Sequence, residues 1–115
     1  MSQSVSSPDW QVLNEGKATM LVVQTRKDVT VFPLFRLLYS RGDNTTVTLA
    51  FDSHDVILIG QGLAAVLAAL AAERLIRLIE PSENEANFKF RGAAANKYDG
   101  PAIDRITVKT LSEKA

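Results

Sequence analysis

The residues best suited to chemistry lie in one short polar segment, Asp52-Ser53-His54-Asp55. It contains the residue types of a hydrolytic triad, but contiguous side chains cannot aim one proton relay at one point, so triads are assembled from separated elements. Asp52, His54 and Asp55 could instead supply three metal ligands, although the chain has no other histidine to complete the site. The segment is also typical of a hairpin turn, in which Asp and Ser side chains bind backbone N–H groups. We favour the turn and predict neither a catalytic residue nor a metal.

A second candidate is the glycine-rich segment after the apolar run at 56–59. Gly60-Gln61-Gly62, followed by Ala65, resembles the G-x-G-x-x-G/A fingerprint of dinucleotide-binding (Rossmann) domains. Glu80 stands where such domains have an acidic residue, about 20 positions further on. The resemblance implies that Gly60 permits a tight turn, that Gly62 admits a pyrophosphate to the helix N-terminus, and that Glu80 binds the ribose hydroxyls.

The surrounding chain does not favour a Rossmann domain. Val56 to Glu80 spans 25 residues, which is short of the roughly 30 residues of the usual unit. About half the chain precedes the motif, and the 35 residues after Glu80 are too few for further βα units. The same glycines would also serve to turn a strand into a helix. We therefore predict no cofactor, and a small-ligand or nucleotide-binding domain at Gly60, Gly62, Ala65 and Glu80 remains the alternative.

Composition limits the class of partner. The 13 Lys and Arg residues balance 13 Asp and Glu residues, with five and six of them in residues 1–60 and eight and seven in residues 61–115. A general nucleic-acid-binding protein would show a basic excess, so nucleic acid is not the favoured partner. The aromatic and basic residues between Phe88 and Tyr98 keep RNA or single-stranded DNA as a further alternative. The absence of cysteine excludes disulfides, thiolate nucleophiles and cysteine zinc sites.

The sequence contains no pattern typical of secretion or of a membrane span. Residues 1–10 lack a basic region followed by an apolar core. The 17 uncharged residues from Val56 to Ala72 reach the low end of a membrane-spanning length, but Gly60 and Gly62 interrupt them. We therefore expect a cytoplasmic protein with no membrane partner.

Alternation of apolar residues predicts most of the strands. Segments 18–24 and 28–32 are rich in valine and separated by a polar turn, which is typical of a hairpin, and a strand is expected near 36–41. A last strand is expected at 103–110.

A second hairpin joins 45–51 to 56–59. We expect Phe51 opposite Val56 and Leu49 opposite Leu58, which places these side chains and Val47 on one core-facing surface. The opposite face is too apolar to be left bare, so a helix, a strand or another subunit should cover Ala50, Ile57 and Ile59.

After residue 62, the spacing of apolar residues changes from that of a strand to that of a helix. Four leucine and valine residues recur at helical spacing, which predicts one main helix near 63–74: Leu63, Val66, Leu67 and Leu70. The β-branched residues at 75–80 favour a strand there, with continuation of the helix as the alternative.

Together these patterns predict an α+β fold, an antiparallel meander of about five to seven strands curled into a half-barrel or roll, with one main helix. Residues 1–9 are expected to be a disordered tail, and 10–115 a single domain with a long polar loop at 81–101. No separated catalytic set exists, and both the alanine-rich face of the helix and the second face of the 46–59 hairpin are apolar. We therefore expect a non-enzymatic module that forms homo-oligomers or binds another protein.

Overall fold

The computed structural model describes residues 9–86 and 101–111. Within them the chain forms eight strands and one main α-helix, with a 3-10 turn at Leu34–Arg36 and a short helical turn at 83–86. The elements are β1 (Trp10–Val12), β2 (Met20–Gln24), β3 (Val29–Pro33), β4 (Leu37–Gly42), β5 (Thr46–Phe51), β6 (His54–Gln61), α1 (Ala64–Ala71), β7 (Leu75–Ile79) and β8 (Ala102–Thr110).

The strands form two four-stranded sheets. The first sheet has the order β1-β7-β2-β3, and the second has the order β4-β5-β6-β8. All neighbours are antiparallel except β2 and β7, which run parallel, with Val23 opposite Leu78. The 3-10 turn carries the chain from β3 at the edge of the first sheet to β4 at the edge of the second.

The core lies between the two sheets and is closed at one end by α1. Alternate residues of the strands point inward, as the pleat requires. Phe32 of β3 stacks on Phe51 of β5 with ring centroids 4.3 Å apart, which joins the two sheets directly. Val66 of α1 and Leu63, which caps its N-terminus, are fully buried in the same cluster.

The predicted α+β class, with mainly antiparallel strands and one main helix, is confirmed, but the strands are more numerous than expected and do not form a single meander. The chain leaves the second sheet after β6, and β7 pairs with β1 and β2 in the first sheet. A helical connection, unlike a tight turn, allows the next strand to pair with strands that are distant in sequence, in either direction. Local turn patterns therefore could not identify the neighbours of β7.

The second hairpin has the predicted core face but a different register. Leu49 is opposite Val56 and Val47 is opposite Leu58, so the strands are shifted by two residues from the predicted pairing. The turn is formed by Asp52 and Ser53, which places His54 in β6. A shift of two residues leaves every side chain on its predicted face, and therefore the alternation could not detect it.

The main helix is shorter than predicted because Glu73 adopts a left-handed conformation, with φ of 60°. The N–H of Arg74 binds the Ala69 carbonyl at 2.9 Å and the N–H of Glu73 binds that of Leu70 at 3.0 Å. These two bonds form a Schellman cap, a common way for a helix to end. The chain then enters β7, so the preferred prediction of a strand at 75–80 is confirmed.

Several predictions lie outside the described residues. They include the aromatic and basic segment from Phe88 to Tyr98, most of the expected loop at 81–101, and residues 1–8 of the expected tail. Asp9, the last residue of that tail, is described and is buried.

Candidate functional site: an apolar edge and a polar seam

The Gly60-Gln61-Gly62 segment lies at the end of β6, where the strand is still paired with β8. Gly60 is opposite Ile103, and a Cβ at Gly60 would overlap the carbonyl oxygen of Ala102. The close approach of β8 therefore requires glycine at this position. Gly62 has φ of +66°, which glycine adopts without strain, and it turns the chain from β6 towards α1.

The N-terminus of α1 is covered by the β4–β5 turn. The side-chain oxygen of Asn44 accepts a hydrogen bond from the N–H of Ala64 at 3.1 Å, and its backbone carbonyl accepts one from Leu63 at 3.0 Å. The N–H of Ala65 bonds to the carbonyl of Gly62 at 3.2 Å. In a pyrophosphate site such donors face the ligand. Here they are engaged within the protein.

Glu80 lies beyond β7, and 6% of its side chain is exposed. One carboxylate oxygen accepts from the N–H of Arg26 at 2.9 Å and the other from the N–H of Ile106 at 3.1 Å. A Rossmann unit places its two strands side by side and parallel, whereas β6 and β7 belong to different sheets. The fold therefore brings Gly60, Gly62 and Ala65 together but assigns Glu80 to a contact between the sheets.

The three candidate metal ligands of the Asp52–Asp55 segment do not converge. Asp52 forms an ion pair of 2.6 Å with Arg36. His54 and Asp55 are consecutive residues of β6, so their side chains point to opposite faces of the sheet. The ring of His54 meets the edge of Phe32, with centroids 5.4 Å apart. In the part of the chain that the structure describes, no group of three or more His, Asp or Glu residues could hold a metal ion.

Three large apolar side chains are exposed at the edge of the second sheet. Phe35 is 82% exposed, Leu38 65% and Tyr39 55%. We call these three residues the β4 apolar surface. Among the described strands, β4 has a neighbour on one side only, which is β5. Exposed apolar residues on an open edge strand are typical of interaction sites, since such edges are otherwise protected.

The 3-10 turn holds Phe35 away from the core. On one side, Leu34 packs against the core cluster and its N–H binds the carbonyl of Thr19 at 2.9 Å. On the other, Arg36 pairs with Asp52, and its guanidinium lies 5.5 Å from the centroid of the Phe35 ring. Because both neighbours are fixed, the ring of Phe35 is presented to solvent by an ordered backbone.

A pocket of about 420 Å³ opens against Phe35, which forms part of its wall. Leucine side chains from the 3-10 turn, β4, α1 and β7 line it, and Lys17 and Glu73, which form an ion pair of 3.2 Å, also contribute to its wall. The leucines are Leu34, Leu37, Leu70 and Leu75. An apolar pocket of this size is adequate for an aromatic side chain.

Polar residues close the opposite side of the molecule, where β8 meets the first sheet. Asp9 is 3% exposed and accepts a hydrogen bond from the N–H of Ile103 at 2.8 Å. Arg26 donates to the carbonyls of Pro81, at 2.6 Å, and Asp104, at 3.2 Å. We call Asp9, Arg26 and Glu80 the polar seam. Asp9 and Arg26 were not singled out from the sequence, because neither belongs to a motif.

No protein-family model matches this chain. No significant match was found among curated proteins or solved structures. Within residues 9–86 and 101–111, no helix is long and apolar enough to cross a membrane.

Proposed function

We propose that this protein is a non-enzymatic interaction module, and that its partner at the β4 apolar surface is a second copy of the same chain. The observation that carries the proposal is the 82% exposure of Phe35 on a turn that is anchored on both sides. Aromatic side chains held in this way are the usual anchors of protein interfaces.

A second copy fits because the surface has both halves of a complementary contact. The exposed ring of Phe35 and the apolar pocket beside it lie on the same side of the molecule. In a twofold-symmetric dimer the same patch of each subunit meets its copy, so a residue that protrudes must find its recess on that patch. The ring of one copy would enter the pocket of the other, and the second ring would do the same.

The open edge of β4 adds a second source of contact. Two copies related by a twofold axis can pair their edge strands antiparallel, because each strand then meets itself in the opposite direction. Beyond the irregularity in β4 between Leu37 and Tyr39, such pairing would satisfy the outward N–H and C=O groups of the strand and cover Tyr39.

The test is the substitution Phe35→Ser, examined by size-exclusion chromatography with light scattering over a range of concentrations. We expect the wild-type chain to dimerise and the variant to dimerise about 30-fold more weakly or worse, since an aromatic anchor contributes 2 kcal/mol or more. The stability of the monomer should change by less than about 0.5 kcal/mol, because Phe35 packs little in the monomer.

Val31→Thr is the matched control, because Val31 is half exposed on β3, outside the surface, and threonine keeps the β-branched shape. This variant should dimerise like the wild type. Equal weakening by both substitutions would move the interface to the first sheet. A wild-type chain that stays monomeric at high concentration would overturn the proposal.

A further inference from the structure

A polar groove of about 580 Å³ lies at the free edge of β8. The turn at 25–28 between β2 and β3 forms one wall, and residues 105–108 of β8, with Thr110, form the other. Thr30 of β3 and His54 of β6 also line the groove. We call this feature the β8 groove. Its volume lies within the range typical of sites for small ligands.

The acidic and basic residues of the groove differ in what they contact. Glu80 already accepts two backbone hydrogen bonds, and Asp28 accepts one from the hydroxyl of Thr25 at 3.2 Å. Lys27 and Arg105 also line the groove, and neither makes an ion pair with any described residue. The carboxylates are thus engaged, while two cationic groups remain available to a ligand.

The strand edge adds backbone donors. In an antiparallel ladder, residues two apart point their N–H groups to the same side. The N–H of Ile106 points away from β6, because it binds Glu80. The N–H groups of Val108 and Thr110 therefore point to the same side, where no described strand lies. Backbone N–H groups beside cationic side chains form a suitable environment for an anion.

The free part of this edge is short. The N–H of Ile106 donates to Glu80, and the carbonyl of Asp104 accepts from Arg26. Only the end of the strand edge, from Val108 to Thr110, therefore remains open. An added peptide strand usually pairs over about five residues, which favours a compact ligand over an extended peptide.

We propose that the β8 groove binds a small anionic ligand that carries phosphate or carboxylate groups. Lys27 and Arg105 supply the charge, the N–H groups of Val108 and Thr110 donate hydrogen bonds to the anion, and His54 lies at one side of the site. The site is separate from the β4 apolar surface and does not depend on self-association.

The experiment is a titration followed by ¹H–¹⁵N NMR, with inorganic pyrophosphate and citrate as probes at low ionic strength. We expect saturable shifts of the Val108 and Thr110 amide signals with at least one probe. The probe that binds more tightly identifies phosphate or carboxylate as the preferred group. Arg105→Gln should weaken binding about tenfold or more, because it removes a charge-assisted hydrogen bond.

Lys109→Gln is the matched control, since it removes one positive charge from the same strand, and Lys109 does not line the groove. This variant should bind like the wild type. Equal weakening by the Arg105 and Lys109 substitutions would show general attraction to a basic surface and overturn the proposal. The absence of saturable shifts at these amides with either probe at millimolar concentrations would overturn it as well.

Discussion

The outer edges of β4 and β8 both end the second sheet, yet their surroundings are opposite in character. The edge of β8 contacts the polar seam, where the buried carboxylates of Asp9 and Glu80 accept hydrogen bonds from two of its N–H groups. β4 is left open among the described residues and carries exposed apolar side chains. An edge strand can be protected from pairing by covering its donors or be kept available for a partner. The donors of Ile103 and Ile106 in β8 are covered, whereas no described strand covers the outer edge of β4.

The difference separates residues that stabilise the folded monomer from residues that are available for association. At the polar seam, Asp9 accepts a buried hydrogen bond from the N–H of Ile103, and Glu80 accepts a partly buried one from the N–H of Ile106, so a change there should destabilise the monomer. At the β4 apolar surface, the side chains contribute little to the monomer, so changes there should act on association. Substitutions at the two edges can therefore separate folding from interaction.

The largest effect is expected for Glu80→Ala. The substitution leaves the N–H groups of Arg26 and Ile106 without their acceptor, which should lower the free energy of unfolding by about 3 kcal/mol. Urea denaturation measures the loss. Glu83→Ala is the control, because Glu83 is exposed and its loss should cost less than about 0.5 kcal/mol. Similar small losses in both variants would show that the polar seam does not stabilise the fold.

A smaller loss is expected for Gly60→Ala, on the strand that pairs with β8. The new Cβ would overlap the carbonyl oxygen of Ala102, and the required shift of backbone should cost about 2 kcal/mol. Gly62→Ala should cost only about 1 kcal/mol, since it strains one left-handed residue in a turn. Thermal or urea denaturation compares the two. The reverse order would contradict the assignment of Gly60 to strand packing.

The smallest effect concerns Asp43, in the turn that follows β4. Hydrogen bonds from the backbone N–H of Thr45, then that of Thr46, and from the Thr45 hydroxyl lower the pKa of this carboxyl below 3.8. A lowered pKa in the folded state contributes stability above the unfolded-state value, and this contribution is lost as the pH falls through the folded-state pKa.

Asp43→Asn keeps an acceptor oxygen but removes the charge. We expect the variant to be slightly less stable than the wild type at neutral pH, with the difference shrinking as the pH falls below 3.8. An NMR titration of the Asp43 carboxyl carbon measures the pKa directly. A value at or above 3.8 would show that the turn does not hold the carboxylate.

Local patterns were sufficient for most of the elements, although they did not predict the three-residue strand β1. The alternation at 45–59 correctly placed Val47, Leu49 and Phe51 in the core, since a side chain's face depends only on the pleat of its own strand. The helical spacing from Leu63 to Leu70 identified α1 for the same reason. The left-handed cap at Glu73 that ends it was not predicted, because a left-handed residue other than glycine or asparagine is uncommon at a helix end.

The candidate sites were harder to predict. The motif at Gly60 to Ala65 fits a dinucleotide fingerprint residue by residue. Such a fingerprint binds a dinucleotide only when parallel strands beside it form the binding crevice. The β4 apolar surface has no sequence signature, because Leu38 and Leu49 are the same residue type and differ only in what the fold places over them. Asp9 and Arg26 were missed because their partners are 94 and 55 residues away along the chain.

The sequence by itself determined the class of the fold, most of the strands, the main helix, and the core face of the second hairpin. These features follow from the period of apolar residues and from turn chemistry, which act between neighbours along the chain. Only the tertiary structure decided that β7 joins the first sheet, that Glu80 binds β8, and that Phe35 stays exposed. Each of these depends on which distant segments meet, and that is settled by the packing of the whole core.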